Sequence, residues 1–301
     1  MEQKNINTPP WADEMNEGDH ISYAPTYEEG KYFDRYDSGK YKNEAGTEYK
    51  YYFHDPDRNA SDGKKRPLLV FFHGTSNSLV GELCIAYSGG ECYASEEYQK
   101  SMGGAHVLIP LANEYRDEDG NVQGYWSEEL LSDAHGVIQE YVKKRSDRIG
   151  QIFLFGNSSG ATFCMRLMEA YMDFYDAAIP MGSESLPDDA TLDEYERKGK
   201  WLFYAVGKRD EFHDYAHDIA PRIPKLEQMK HCFIYTPDWV RNGDKGVASI
   251  MAGIEMGQHC IVNALHCNLM FDDGTPMDQR LPVGVTGWIA DCVRETGNEG
   301  S

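Results

Sequence analysis

No apolar run in this chain approaches the ~20 residues that a bilayer-spanning helix needs, so no membrane span is expected. No cysteine pair stands at C-x-x-C spacing, so neither a zinc site nor a dithiol redox centre is signalled. Positive charge is scarce: 29 Lys and Arg face 50 Asp and Glu, a net charge of −21. Phosphate would be repelled, which argues against nucleic acid and anionic membranes as partners. Neutral or cationic small molecules remain compatible. No internal repeat, low-complexity tract or linker divides the sequence. No apolar segment follows Met1-Glu2-Gln3-Lys4-Asn5, so a cytoplasmic protein is expected, the alternative being a secreted one whose signal peptide was removed. The seven cysteines are Cys84, Cys92, Cys164, Cys232, Cys260, Cys267 and Cys292. Several sit in apolar contexts, where a free thiol acts as a small hydrophobe, and a reducing compartment fits them best. Cys84 and Cys92 are close enough to pair if the compartment is oxidising.

What is present is an alternation. Short, nearly continuous apolar runs cover 67–72, 105–110, 151–155, 177–180, 201–206 and 231–235, the pattern of strands buried on both faces. A β-rich alternating stretch, 46–54, precedes them. Helical spacing marks 127–144 and 161–175, and a third candidate over 214–229 is broken by Pro221 and Pro224. Strands alternating with helices predict an α/β fold with a mostly parallel sheet covered on both faces. The 301 residues suffice for one such domain with a deep core. We expect residues 1–40 to form a polar arm laid over a single domain at 41–294, with 295–301 a frayed tail.

The richest signal is Phe155-Gly156-Asn157-Ser158-Ser159-Gly160-Ala161. A strand, then G-x-S-x-G, then a helix is the pattern of a nucleophile elbow. The turn is tight enough that Gly156 and Gly160 must lack side chains. Ser158 is then held strained and exposed at the end of its strand. In a parallel sheet the chemistry lies at the C-terminal ends of the strands, so the partners of Ser158 are sought there. Asp210 follows the 201–206 strand and a turn glycine, placed to orient a histidine, with Glu211 the substitute. His259 follows Gly257 in the loop after the last strand and is the general-base candidate. His266, seven residues on, is the alternative, though it reads better as a packed helix residue. An oxyanion hole needs two backbone N–H groups. Ser159 supplies one and Thr75, in the His73-Gly74 loop after the 67–72 strand, supplies the other. Trp126 and Trp239 are candidate pocket walls, since aromatic planes suit sugars and phenolic rings.

Four places together carry a resemblance: Pro67–Gly74, Asp147-Arg148-Ile149 ahead of the elbow, Gly156–Gly160, and the Asp210 and His259 loops. With them the chain resembles an α/β-hydrolase-fold serine esterase, near the polyhydroxybutyrate-depolymerase-like and feruloyl or acetylxylan esterase branch. The resemblance spans most of residues 45–293. It implies an acyl-enzyme carboxylesterase needing neither metal nor organic cofactor, acting on a small-molecule or oligosaccharide ester. Little sequence separates the strands at Ala177 and Trp201, so no large cap is expected. A serine peptidase or an acyltransferase would use the same triad, and a non-catalytic binding protein on this fold is a third reading.

Overall fold

The computed structural model describes residues 9–23, 29–58, 62–251 and 254–298. An eight-stranded sheet organises them. Its strands are β1 (Asp37–Lys42), β2 (Glu48–His54), β3 (Arg66–Phe72), β4 (His106–Pro110), β5 (Ile149–Asn157), β6 (Ala177–Met181), β7 (Trp201–Ala205) and β8 (Cys232–Tyr235). Their spatial order is β8-β7-β6-β5-β3-β4-β2-β1. From β4 to β8 every neighbour pair is parallel. Strand β2 is antiparallel to both β1 and β4, so the sheet is mixed at that edge. Each apolar run read as a strand is one. Strand β1 lies partly within the expected 1–40 arm, and its position was not read from the sequence. It is an edge strand with no fully buried residue, so it shows no hydrophobic period.

Alternate residues of the central strands feed two cores. Leu69, Phe71, Phe153 and Phe155 face one side, while Leu68, Val70, Phe72, Ile152 and Leu154 face the other. Helices α1 (Glu96–Met102) and α5 (Gly284–Asn298) cover the first face. Helices α2 (Leu131–Lys143), α3 (Ser159–Ala170) and α4 (Asp189–Arg197) cover the second. The 214–229 candidate resolves into short turns over 215–226, as its prolines require. Residues 295–298, expected to fray, continue α5, where the Thr296 hydroxyl accepts from Gln151 Nε2 at 2.9 Å. The rest of that expected tail, and residues 1–8 and 24–28 of the expected arm, lie outside the described residues. From the arm, Ile21 and Ser22 pair in parallel with Val247 and Ala248. Among the described residues no helix is long and apolar enough to cross a membrane.

Several imidazoles enter the core uncharged. Burial pushes His106 and His135 down to about 4 and His266 down to about 3, from an ordinary value near 6.5, and lowers His73 as well. The unfolded chain therefore takes up these protons first, so stability is lost as pH falls from about 6.5 toward about 4. The urea midpoint is expected to drop across that window. In His266→Gln, which can keep a donor toward the Ala86 carbonyl, the drop should be shallower. An identical pH slope in the two proteins would rule His266 out as a source.

Candidate active site

The turn between β5 and α3 is built on two contacts with no room for a side chain. A Cβ on Gly156 would lie 2.0 Å from the Gly160 carbonyl oxygen, and one on Gly160 would lie 2.3 Å from the Phe72 carbonyl oxygen. The helix start is thereby pressed against the ends of β5 and β3. Between the glycines Ser158 takes φ 55° and ψ −120°, a conformation that costs an L-residue free energy and persists only where its surroundings enforce it. The Ser158 N–H is tied to the Met181 carbonyl at 2.9 Å.

Asp210, His259 and Ser158 come together from three separate loops. Both oxygens of Asp210 lie near His259 Nδ1, at 2.8 and 2.9 Å, and the opposite ring nitrogen is 2.9 Å from Ser158 Oγ. A carboxylate takes its hydrogen from Nδ1, so in the neutral ring Nε2 carries the lone pair that faces the serine hydroxyl. His259 and Asp210 are both buried. Asp210 also accepts from the Phe212 N–H at 2.9 Å.

Glu211 does not replace Asp210. Its two oxygens accept the backbone N–H groups of Gln258 and His259, at 2.9 and 2.6 Å. Burial raises its carboxyl above the usual range. Fully buried Gln258 accepts from Val240 N at 2.8 Å and donates to the Ala248 carbonyl at 2.7 Å, tying down the loop that carries His259. His266 lies elsewhere, 2.9 Å from the Ala86 carbonyl.

The loop after β3 is held as firmly. His73, wholly buried, faces the Gly74 carbonyl through Nδ1 at 2.8 Å and accepts from Ala112 N through Nε2 at 3.1 Å. Glu114 accepts from Ser76 N at 2.8 Å and from Ser78 N at 3.0 Å, with Ser76 itself at φ 73°. Thr75, between these anchors, donates its hydroxyl to Ser159 Oγ at 2.9 Å. Ser159 opens helix α3, so its N–H has no intrahelical acceptor. Sequence reasoning missed Glu114 and gave Glu211 another role, as the substitute for Asp210. A carboxylate that caps backbone amides across the fold leaves no local pattern.

A cavity of about 700 Å³ surrounds Ser158. Thr75, Ser159 and His259 line it, with Tyr87, Glu184, Phe212 and His213 among the other walls. The two tryptophans expected there are elsewhere. Trp126 is buried beneath the sheet, stacked on Phe163 at 4.9 Å. Trp239 lines a separate cavity beside β8 and packs against Trp11 and Arg209. Asp210, His213 and His259 bring possible metal-ligand atoms within 4.8 Å of one another, but both Asp210 oxygens are already turned to the His259 ring. A second such group, Asp55, Asp57 and His106, is bordered by Arg66, Arg145 and Arg148, whose charges oppose a cation.

No family model matches the chain, and no curated protein matches its sequence. Solved structures do match. A thermostable esterase superposes with a TM-score of 0.54 at 17% identity, over 69% of this chain and 56% of that one. This chain therefore spans little more than half the length of that protein. Est1E from Butyrivibrio proteoclasticus gives 0.45 at 17% identity, over 67% and 88% of the two chains. FphF, a fluorophosphonate-binding serine hydrolase of Staphylococcus aureus, gives 0.44 at 16%, over 67% and 89%. What the first of these shares with this chain is the fold.

Proposed function

We propose that this chain, which has the α/β-hydrolase fold, is a serine carboxylic-ester hydrolase that works through an acyl-enzyme. One observation carries the reading: a serine in a strained turn, its Oγ 2.9 Å from a histidine that a buried aspartate holds by the other nitrogen. Ser158 attacks the ester carbonyl as His259 Nε2 takes its proton, and Asp210 steadies the imidazolium. The N–H groups of Ser159 and Thr75 receive the oxyanion. His259 then gives the proton to the leaving alcohol and activates water against the acyl-enzyme. Neither metal nor organic cofactor takes part.

Acetyl, feruloyl or other short acyl esters of carbohydrates or small alcohols are the proposed substrates, in the manner of the feruloyl-esterase and polyhydroxybutyrate-depolymerase-like branch. Polar and aromatic walls around the serine support this. The domain proposed for the chemistry is 41–294, with 1–40 as an arm on it. We propose that no large cap covers the site, since only residues 182–200, including α4, separate β6 from β7. All seven cysteines are unpaired, Cys84 and Cys92 included, which fits a reducing compartment such as the cytoplasm.

The test is a panel: p-nitrophenyl acetate, butyrate and octanoate, methyl ferulate, acetylated xylan and an aminoacyl anilide. Ester turnover is expected, with a p-nitrophenol burst of one equivalent where deacylation is slow. Cleavage of the anilide alone would replace the esterase by a peptidase, and silence toward the whole panel would remove the hydrolase reading.

A further inference from the structure

Residues 41–294 do not wall the cavity around Ser158 by themselves. Tyr23 and Glu29, from the N-terminal arm, line it together with Tyr87, Glu184, Phe212 and His213. The arm is fastened on both sides of these two residues. Before them, Asp19 pairs with Arg241, and Ile21 and Ser22 run as a short parallel strand beside Val247 and Ala248. After them, Glu91 accepts the Tyr32 N–H at 3.0 Å, and the Tyr36 hydroxyl donates to the Gly90 carbonyl at 2.6 Å. Glu91 is fully buried. Taking an acid out of water is costly, and here it is spent on holding the main chain of the arm. Tyr23 and Glu29 are thereby carried to the wall of the site.

The lining has one sign of charge. Glu29 and Glu184 are its carboxylates, and among the described residues no lysine or arginine lines the cavity. His213 pairs with Glu184. Even when charged it offsets only one of the two acids, so the lining stays negative in either state of that ring. Asp210, buried behind His259, adds to the same field. Aromatic faces accompany the acids. Tyr23 is 48% exposed and Phe212 58%, an unusual solvent contact for rings beside a candidate nucleophile. Burial, and then the charge of Glu29, raise the Tyr87 phenol above its ordinary value, so the arm's carboxylate acts on that ring. Asn157 gives an independent sign. It is 8% exposed and lines the cavity next to Ser158, and its Oδ1 has no hydrogen-bond partner among the described residues. A buried acceptor left without a donor is costly, and a substrate N–H would supply one. Acids, open aromatic faces and a free acceptor, with no competing cation, are what an ammonium group requires.

Resting on the serine-esterase reading, we propose that Tyr23 and Glu29 of the arm, with Tyr87, Glu184 and Phe212, form an ammonium subsite, and that the preferred ester carries a positively charged amine. The rings take the cation on their faces, and the carboxylates neutralise it. The same field turns away esters that carry a carboxylate. The ammonium is a handle and not a reactant. The Ser158 Oγ–acyl bond forms as the acyl–alkoxy bond breaks, and the serine proton passes through His259 to the alcohol oxygen.

The experiment isolates the charge with two matched pairs. Choline acetate is compared with its carbon isostere, in which a tert-butyl group replaces trimethylammonium. Ethyl ε-aminocaproate is compared with ethyl heptanoate, and monoethyl adipate serves as the anion. Values of kcat/KM are measured in wild type, Glu29→Gln, Tyr23→Ala and Ser158→Ala. In wild type the cationic ester should exceed its neutral partner about tenfold or more in at least one pair, which also tells whether the acyl or the alcohol part carries the amine. The adipate should fall below ethyl heptanoate by a similar factor, and added salt should shrink both ratios. In Glu29→Gln and Tyr23→Ala the cation-to-neutral ratio should drop about threefold or more. Each ratio is taken within one protein, so any loss of folded enzyme cancels. Equal turnover of cationic and neutral esters in both pairs overturns the subsite, and a ratio untouched in both variants overturns the arm's part in it. Turnover that survives Ser158→Ala, or no turnover of any ester, overturns the serine-esterase reading itself.

Discussion

Ser158→Ala is expected to lower kcat for the best ester about 10⁴-fold or more, with KM changed little. The substitution removes one oxygen and leaves the pocket walls, so ground-state binding survives. The remaining catalysis would come from the amides of Ser159 and Thr75 and from positioning, which typically retain about 10³-fold over water. Because alanine meets the same backbone strain at φ 55°, stability should stay within about 1 kcal/mol. His259→Ala should cost nearly as much in kcat, and the double variant should cost no more than the worse single one. Groups that act as one relay are not additive. Hydrolysis above a tenth of wild type in Ser158→Ala, in protein of matching stability, would remove Ser158 from the mechanism.

Gly160→Ala is expected to be among the most damaging one-carbon changes in the chain. Its Cβ would sit 2.3 Å from the Phe72 carbonyl oxygen and 2.7 Å from that of His73. Both obstacles are backbone at the end of a central strand, so no side-chain rotation relieves the clash. Overpacking a core ordinarily costs about 1–3 kcal/mol. Here the helix start must lift off the sheet, and we expect about 3 kcal/mol or more, read as a fall in the urea midpoint at constant m-value. Gly150 provides the control. It lies near the start of β5, and its added Cβ would meet nothing nearer than 3.6 Å. Gly150→Ala should therefore change stability by less than about 1 kcal/mol. Equal losses in the two variants would show that replacing a glycine as such, not the clash, sets the cost.

Most of what could be read from sequence was buried on both faces. Strands β3 to β7 announce themselves because apolar side chains are needed above and below the sheet, while β2 shows by its alternation and the half-buried edge strand β8 by its short apolar run. Strand β1 is exposed and carries Asp37, Lys40 and Lys42, so nothing in its composition separates it from a loop. Short helices such as α1 and α4 lacked enough turns to show a period. At the site, Ser158, Asp210 and His259 were legible because each follows a strand in a fixed chain order, and their side chains lie within hydrogen-bond distance of one another. Trp126 and Trp239 were misread because residue type says what a ring can bind but not which side of the sheet it faces. His213 was passed over because its position beside His259 depends on how the 207–214 turn folds back over Gly182.

Asp210 and Glu211 are consecutive, yet one holds the ring of His259 and the other its main chain. A single turn thus grips the histidine at two points, and Gln258 adds a third through Val240 and Ala248. Residues 250–256 can then be lengthened, shortened or replaced over evolutionary time without re-aiming the imidazole. Homologues are expected to diverge most in that segment while keeping the acidic pair intact, and grafting a foreign loop between Ser249 and Gly257 is the natural place to begin redesigning which esters the site admits.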